Sequence, residues 1–384
     1  MSGTAAYDVA VVGAGVFGSW TAWHLAKRGQ RVLLLDAYGP AHSRASSGGE
    51  SRIIRMGYGG DELYTRWSQR SLTQWKELFA ATGQPLFRET GVLWLAHDCG
   101  PREQQTLETL RRCAVPHRAL GRDELARRYP QINLDAVHFA IFEPDSGVLL
   151  ARRAVAAVCA DAARLGVEYR LAQAIAPAAG TQSAQMRTSH GVTIIAKQFV
   201  FACGPWLGKL FPEVLGPRIF PTRQEVFFLG VPAGDGRFAP PALPTWLFQE
   251  DQVYGMPDIE SRGLKIAFDQ HGELVDPDTQ SRLPSSAAAE QARRYVAHRF
   301  PALRDAQIVE ARVCQYENTS SGDFLVDRHP GMPNVWFVGG GSGHGFKHGP
   351  AMGEYAAGQI LGEGNAEPRF LLSAKDTVQR RAVY

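Results

Sequence analysis

Asp8-Val9-Ala10-Val11-Val12-Gly13-Ala14-Gly15-Val16-Phe17-Gly18 is the stretch on which the fold turns. Its first five residues form an apolar run of the kind seen in a parallel strand covered on both faces. The glycines then mark a turn, Ser19 to Lys27 reads as an amphipathic helix ending at Gly29, and Arg31 to Asp36 reads as a second strand. Strand, glycine turn, helix and strand in that order open a doubly wound α/β sheet. Gly13 suits the tight turn, Gly15 lets backbone approach a pyrophosphate, and Gly18 lets the helix lie close on the strand. A phosphate at that helix start is favoured by free N–H groups and the helix dipole. Asp36 stands 36 − 15 = 21 residues beyond the middle glycine, where a carboxylate can accept hydrogen bonds from ribose hydroxyls. The stretch therefore predicts a bound dinucleotide, without separating NAD from FAD.

Further along, a glycine- and serine-rich loop (Ser43 to Gly49) leads to Glu50-Ser51-Arg52-Ile53-Ile54-Arg55, and a helix is expected over Tyr64 to Ala81. Shorter strands such as Gly91 to Ala96, with charged helices at Glu103 to Cys113 and Asp123 to Tyr129, read as an insertion. A helix over Ala151 to Leu165 precedes a hairpin-like Gln185 to Val200, and a strand stops at Ala202-Cys203-Gly204-Pro205-Trp206. Strands such as Glu225 to Leu229 and Leu264 to Phe268 then predominate up to Val313. Val335 to Val338 enters Gly339-Gly340-Gly341-Ser342-Gly343-His344-Gly345, and a helix follows from Pro350 to Leu361. The expected architecture is a discontinuous nucleotide domain (1–84, 146–218 and 320–384) with an inserted, mainly antiparallel substrate domain (85–145 and 219–319). Its class is α/β joined to α+β.

The 384 residues are 45% hydrophobic and 21% charged, ordinary globular composition with enough chain for two domains. Their 41 basic and 38 acidic residues are interspersed, for a net charge of +3, so nucleic acid is not an expected partner. No apolar stretch nears the roughly 20 residues of a membrane span, and Met1 to Tyr7 lacks a secretory pattern. The expectation is a soluble, monomeric, cytoplasmic protein without membrane contact. Five cysteines, an odd number without close pairs, suggest neither a disulfide framework nor a metal site.

Several short stretches bear on the cofactor: Ser51-Arg52-Ile53-Ile54-Arg55, Tyr254-Gly255-Met256-Pro257, Gly263-Leu264-Lys265-Ile266, Cys314-Gln315-Tyr316, Asp323-Phe324 to Asp327-Arg328-His329-Pro330, and Ser342-Gly343-His344-Gly345-Phe346-Lys347. In these, and in their order, the chain resembles the monomeric sarcosine oxidase and N-methyltryptophan oxidase family, within the FAD-dependent amino-acid oxidases. The resemblance runs nearly end to end. It implies FAD, joined covalently through Cys314 at the flavin's 8α carbon. It implies a cofactor site made of Gly13, Gly15, Val16, Phe17, Gly18, Asp36, Ser46, Arg52, Gly204, Trp206, Gly343, His344, Gly345 and Lys347, besides Cys314. A buried, inert thiol is the other reading of Cys314.

The same resemblance gives Arg55 and Lys347 the substrate carboxylate, a task suited to a planar fork and a point charge. It gives Lys265 the activation of oxygen, Arg52 charge balance on the other flavin face, and Tyr254 a wall of the substrate pocket. Ser47 and Gly48 stand where sarcosine oxidases tend to carry histidines, and Asp269 replaces another, changing the polarity of the pocket that Asp269 lines. The reaction implied is oxidation of a carboxylate-bearing secondary amine to an imine and then a carbonyl compound, with O2 reduced to hydrogen peroxide. A glycated amino-acid oxidase, an L-pipecolate or D-amino-acid type oxidase, an amine dehydrogenase using a quinone or carrier, and a flavin-binding protein without turnover remain alternatives.

Overall fold

The computed structural model describes residues 6–177 and 185–380. Residues 1–5, the greater part of the start read for a secretory pattern, lie outside the described residues.

Tyr7–Val12 is a strand at the middle of a parallel sheet, flanked by Val32–Asp36 and by Thr193–Phe201. Glu168–Leu171 continues the parallel order beyond Val32–Asp36, and Met332–Gly339 continues it beyond Thr193–Phe201. Leu325–His329 closes that side antiparallel, while Gln185–Thr188 and Ala174–Ile175 pair onto the far end of Thr193–Phe201. The expected near-continuous apolar strands are thus explained: Val9, Ala10 and Val11, and all of Val32 to Leu35, are buried, because helices cover one face while Met186, Ile194, Leu207, Phe211, Leu215 and Ile219 pack on the other.

One of those helices, Val16–Lys27, starts three residues earlier than the pattern predicts. Its first turn holds a β-branched residue and a glycine, which intrinsic propensity penalises. Packing overrides that cost, since Val16, Phe17 and Trp20 all point into the core. This helix packs on Gly349–Leu361 and Ala151–Arg164, with Glu62–Thr82 alongside.

The second sheet has eight strands, in the order Ile308–Asn318, Phe220–Leu229, Leu264–Phe268, Val253–Met256, Thr245–Phe248, Val92–Ala96, Phe139–Glu143 and Arg118–Gly121. Every pairing is antiparallel except that of Thr245–Phe248 with Val92–Ala96, which joins two remote chain segments into one sheet. Phe220–Leu229 is longer than its apolar half, because Pro221 to Gln224 also pair with Ile308–Asn318. Helix Ser286–Arg299 seals one face with Ala292 and Val296 against Phe227 and Trp246. A three-stranded sheet of Arg52–Ile54, Gly147–Leu149 and Phe87–Arg88 lies apart from both. No helix among the described residues is long and apolar enough to cross a membrane.

Candidate active site

The glycine turn is built as its sequence implies. Gly13 has φ +104°, and a Cβ there would lie 2.3 Å from the Ala202 carbonyl oxygen. A Cβ on Gly18 would lie 1.9 Å from the Gly13 oxygen, so the helix can rest on the turn only without a side chain. The Ala14 N–H donates to the Asp36 carboxylate at 2.7 Å, and Tyr38 and Gly39 donate to its other oxygen at 2.8 and 2.9 Å. At the helix start, the Val16 N–H donates to Ser47 Oγ at 3.0 Å. Ser47 thus contributes to the turn, a role its sequence position did not announce.

One long cavity runs over this turn. Its lining includes Gly13, Gly15, Val16, Phe17, Asp36, Ser46, Arg52, Gly204, Trp206, Cys314, Gly343 and Gly345. Gly18 does not line it, and supports it from behind. Its lining brings together an acid, a helix N-terminus and a thiol, the groups that an adenosine ribose, a pyrophosphate and a covalently held flavin would engage. FAD fits this donor set, with Asp36, the helix start and Cys314 the residues that would hold it.

Glu317, which no motif had singled out, also lines the cavity. Burial pushes its carboxyl up to about 7, against hydrogen bonds from the Gly340 and Gly341 N–H groups, and its Oε1 has no partner among the described residues. Strand alternation from Cys314 gave no signal for it, because it places Glu317 on the face opposite Cys314, whereas Cys314, Gln315, Tyr316 and Glu317 all line the cavity.

A second cavity adjoins the first, with Arg52, Tyr316, Gly343 and Phe346 belonging to both walls. It gathers Arg55, Tyr254, Asp269, His344 and Lys347 from four separate regions of the chain. The Arg55 guanidinium donates to the Gly57 carbonyl and lies 4.5 Å from the ring centres of both Tyr58 and Trp94. Lys347 Nζ donates to Tyr58 OH at 2.7 Å and to the His344 carbonyl at 2.9 Å. Burial, with the Arg55 charge next, holds the Lys347 ammonium well below the ordinary lysine range. His344 bridges Tyr58 OH (3.2 Å) and the Gly322 carbonyl (3.0 Å) through its two ring nitrogens, and stacks on Phe324. Tyr58 is therefore the hub of the cluster, with His348 Nε2 a further 2.8 Å neighbour.

Glu143 is another residue that sequence reading missed. Its carboxylate accepts from the N–H groups of Met56 and Gly57 at 2.7 and 2.9 Å, from Trp94 Nε1 at 2.7 Å and from Ser146 at 2.6 Å. It fixes the backbone immediately after Arg55 from a strand of the second sheet, and no local pattern could reveal a pairing across 86 residues.

Cys314 is buried, 3.4 Å from an Arg52 nitrogen. Arg52 is anchored by donating to the Ser46 and Ser51 carbonyls at 2.7 and 2.9 Å. Lys265 lines neither of these cavities but a third, smaller one together with Ser51, to whose carbonyl it donates at 2.9 Å. Burial, with Arg52 next, pushes Lys265 well below the ordinary lysine range, and Tyr254, pushed up to about 12 by burial, has its ring 6.0 Å away. Among the described residues no group of three His, Cys, Asp or Glu side chains is placed to hold a metal ion.

From residue 8 to residue 359 the chain matches the DAO family, described as FAD dependent oxidoreductase. It is 31% identical over 368 residues to the monomeric sarcosine oxidase of Streptomyces avermitilis, covering 94% of this chain and 95% of that one. It is 30% identical over 375 residues to the N-methyl-L-tryptophan oxidase of Salmonella typhimurium, covering 93% and 95%. Among solved structures, L-proline dehydrogenase from P. horikoshii superposes with a TM-score of 0.82 at 22% identity, over 94% of this chain and 95% of that one, which speaks for the fold alone. A match of that extent, over a sheet and a cavity made for the same cofactor, makes this chain a member of the FAD dependent oxidoreductase family.

Proposed function

We propose that this enzyme oxidises a carboxylate-bearing secondary amine, an N-methyl or otherwise N-substituted amino acid, and passes the electrons to O2, releasing hydrogen peroxide. The observation that carries the proposal is the meeting of Arg55 and Lys347 in a cavity that shares a wall with the dinucleotide cavity. The relatives support it, being by name oxidases of sarcosine and of N-methyl-L-tryptophan. The glycated-substrate, dehydrogenase and non-catalytic alternatives have no comparable support.

Bound FAD supplies the two-electron acceptor. The chain supplies orientation and charge. Arg55 presents its fork between two aromatic rings and Lys347 adds a point charge, so a carboxylate pinned by both sets the amine at a fixed distance from Arg52 and Tyr316 on the shared wall. Depressed by burial, the Lys347 ammonium gains most from an anionic partner. Arg52 offers a cation to negative charge accumulating on the cofactor, and Lys265 one to charge developing on oxygen. Ser46, Gly204, Trp206, Gly343 and Gly345 line the cofactor's path, with Tyr254 and Asp269 on the substrate side.

Cys314 is proposed to carry the flavin as a thioether, on the ground that its sulfur lines the cofactor cavity, 3.4 Å from an Arg52 nitrogen. The strands of the two large sheets sort into 1–84, 146–218 and 320–384 against 85–145 and 219–319, which supports that division into a cofactor domain and a substrate domain. All five cysteines are free, in keeping with a reducing cytoplasm, and the name of the Streptomyces relative supports a monomer.

A screen of N-methyl amino acids, cyclic imino acids, D-amino acids and glycated amino acids for peroxide release tests the proposal. Peroxide is expected with at least one N-substituted amino acid. Flavin that bleaches without air yet yields no peroxide in air would remove oxygen as acceptor, and flavin that no amine bleaches would remove the reaction.

A further inference from the structure

Besides Arg52 on the shared wall, which backbone carbonyls hold, the second cavity holds two cations and one carboxylate, and the carboxylate is paired with none of them. Asp269 follows strand Leu264–Phe268, where its backbone N–H donates to the Gln252 carbonyl at 2.7 Å and fixes the turn. Its Oδ1 accepts from Tyr316 OH at 3.0 Å, the one side-chain donor to this carboxylate among the described residues. Arg55 is occupied by the Gly57 carbonyl and two rings, and Lys347 by Tyr58 and the His344 carbonyl. Both nevertheless act on Asp269 through space, lowering a carboxyl that burial raises. Tyr254 and Tyr316 face it from neighbouring strands, and His271, bonded to Gln379, completes that side.

A cavity with separated charges of both signs is complementary to a ligand with separated charges of both signs. An uncharged amine or a plain carboxylic acid would leave Asp269 facing apolar or like-charged matter in a buried site, which is unfavourable. A zwitterion satisfies all three groups. We infer that Asp269 is the recognition residue for a cationic substrate nitrogen, so that the substrate is an amino acid bound as its zwitterion, carboxylate toward Arg55 and Lys347 and ammonium toward Asp269. The inference rests on the carboxylate pair proposed above. It makes Asp269 a specificity residue against carboxylates that lack the nitrogen.

The test uses the flavin-loaded enzyme and two ligands of one shape: trimethylglycine and its uncharged isostere 3,3-dimethylbutanoate. Neither carries a nitrogen lone pair to oxidise, so dissociation constants can be read from the change in flavin absorbance. Wild type is expected to bind trimethylglycine about tenfold more tightly, the scale of one partly buried charge pair. Asp269→Asn should bring the two constants within about twofold, weakening trimethylglycine while its binding of the isostere shows an intact site. Lys347→Met should weaken both ligands together. Equal affinities in wild type, or discrimination that survives Asp269→Asn, overturn the role of Asp269 and leave the carboxylate pair standing. Failure of wild type to bind either ligand overturns the carboxylate pair, and this inference with it.

Discussion

Lys265 is the residue whose position the sequence left most open. The Leu264–Phe268 strand was legible, but not that the lysine would sit against Ser51, screened from the substrate cavity and lining a small space of its own. Its depressed ammonium, held on a backbone carbonyl with a guanidinium nearby, is poised to gain from any negative charge that develops next to it. This separation from the substrate cavity makes a sharp kinetic expectation. Lys265→Met should slow reoxidation of the reduced enzyme by oxygen about 10²- to 10³-fold, the usual effect of removing one charge-stabilising donor, while anaerobic reduction by substrate changes less than about fivefold. Stopped-flow absorbance measures both half-reactions, and equal slowing of the two would remove Lys265 from the oxygen step. Arg55, Lys347 and Cys314 were legible through their motifs. Tyr58, Glu143 and Glu317 were not, since their parts are defined by partners that only the folded chain brings near.

At the scale of elements, the helix Val16–Lys27 shows why a local pattern could find the nucleotide turn and still misplace the helix start. Glycine and valine in its first turn contradict helix propensity and agree with packing, and only the second is visible in three dimensions. The same helix carries His24, buried against the rings of Trp20 and Trp23 and the helix Glu62–Thr82. Burial, with Arg28 next, lowers His24 to about 3 from 6.5. The sign follows directly. Between those two values the unfolded chain binds a proton that the folded chain refuses, so stability is full above 6.5 and declines as pH falls toward 3. That gap corresponds to on the order of 5 kcal/mol. His42 and His348 shift in the same direction, so the test is a difference. His24→Gln should flatten the fall in Tm between pH 6.5 and pH 4 relative to wild type, whatever it does to Tm at neutral pH. An unchanged slope would show that His24 is protonated without cost in the folded state.

For the whole molecule, the strand order explains why the first sheet was readable and the closure of the second was not. Apolar strands with a repeated strand–glycine turn–helix signal define the first sheet from sequence alone. The second sheet depends on Thr245–Phe248 pairing parallel with Val92–Ala96, a junction across some 150 residues that no periodicity encodes. The cofactor cavity lies where the two sheets meet: its glycine turn belongs to the first, and Cys314 to strand Ile308–Asn318 of the second. A thioether at Cys314 would therefore tie the cofactor to one sheet while the pyrophosphate is gripped by the other. Acid-precipitated wild type should keep its yellow colour in the pellet, and Cys314→Ser should lose it to the supernatant. A ligand that binds only the folded state stabilises by RT ln(1 + [L]/Kd), so the variant's Tm should climb with added FAD, by an amount set by its Kd. Wild-type Tm should not respond, because its cofactor cannot leave. Colour released from wild type by acid, or a wild-type Tm that follows added FAD as the variant's does, would show that the cavity holds FAD without the bond and that the Cys314 thiol merely lines it.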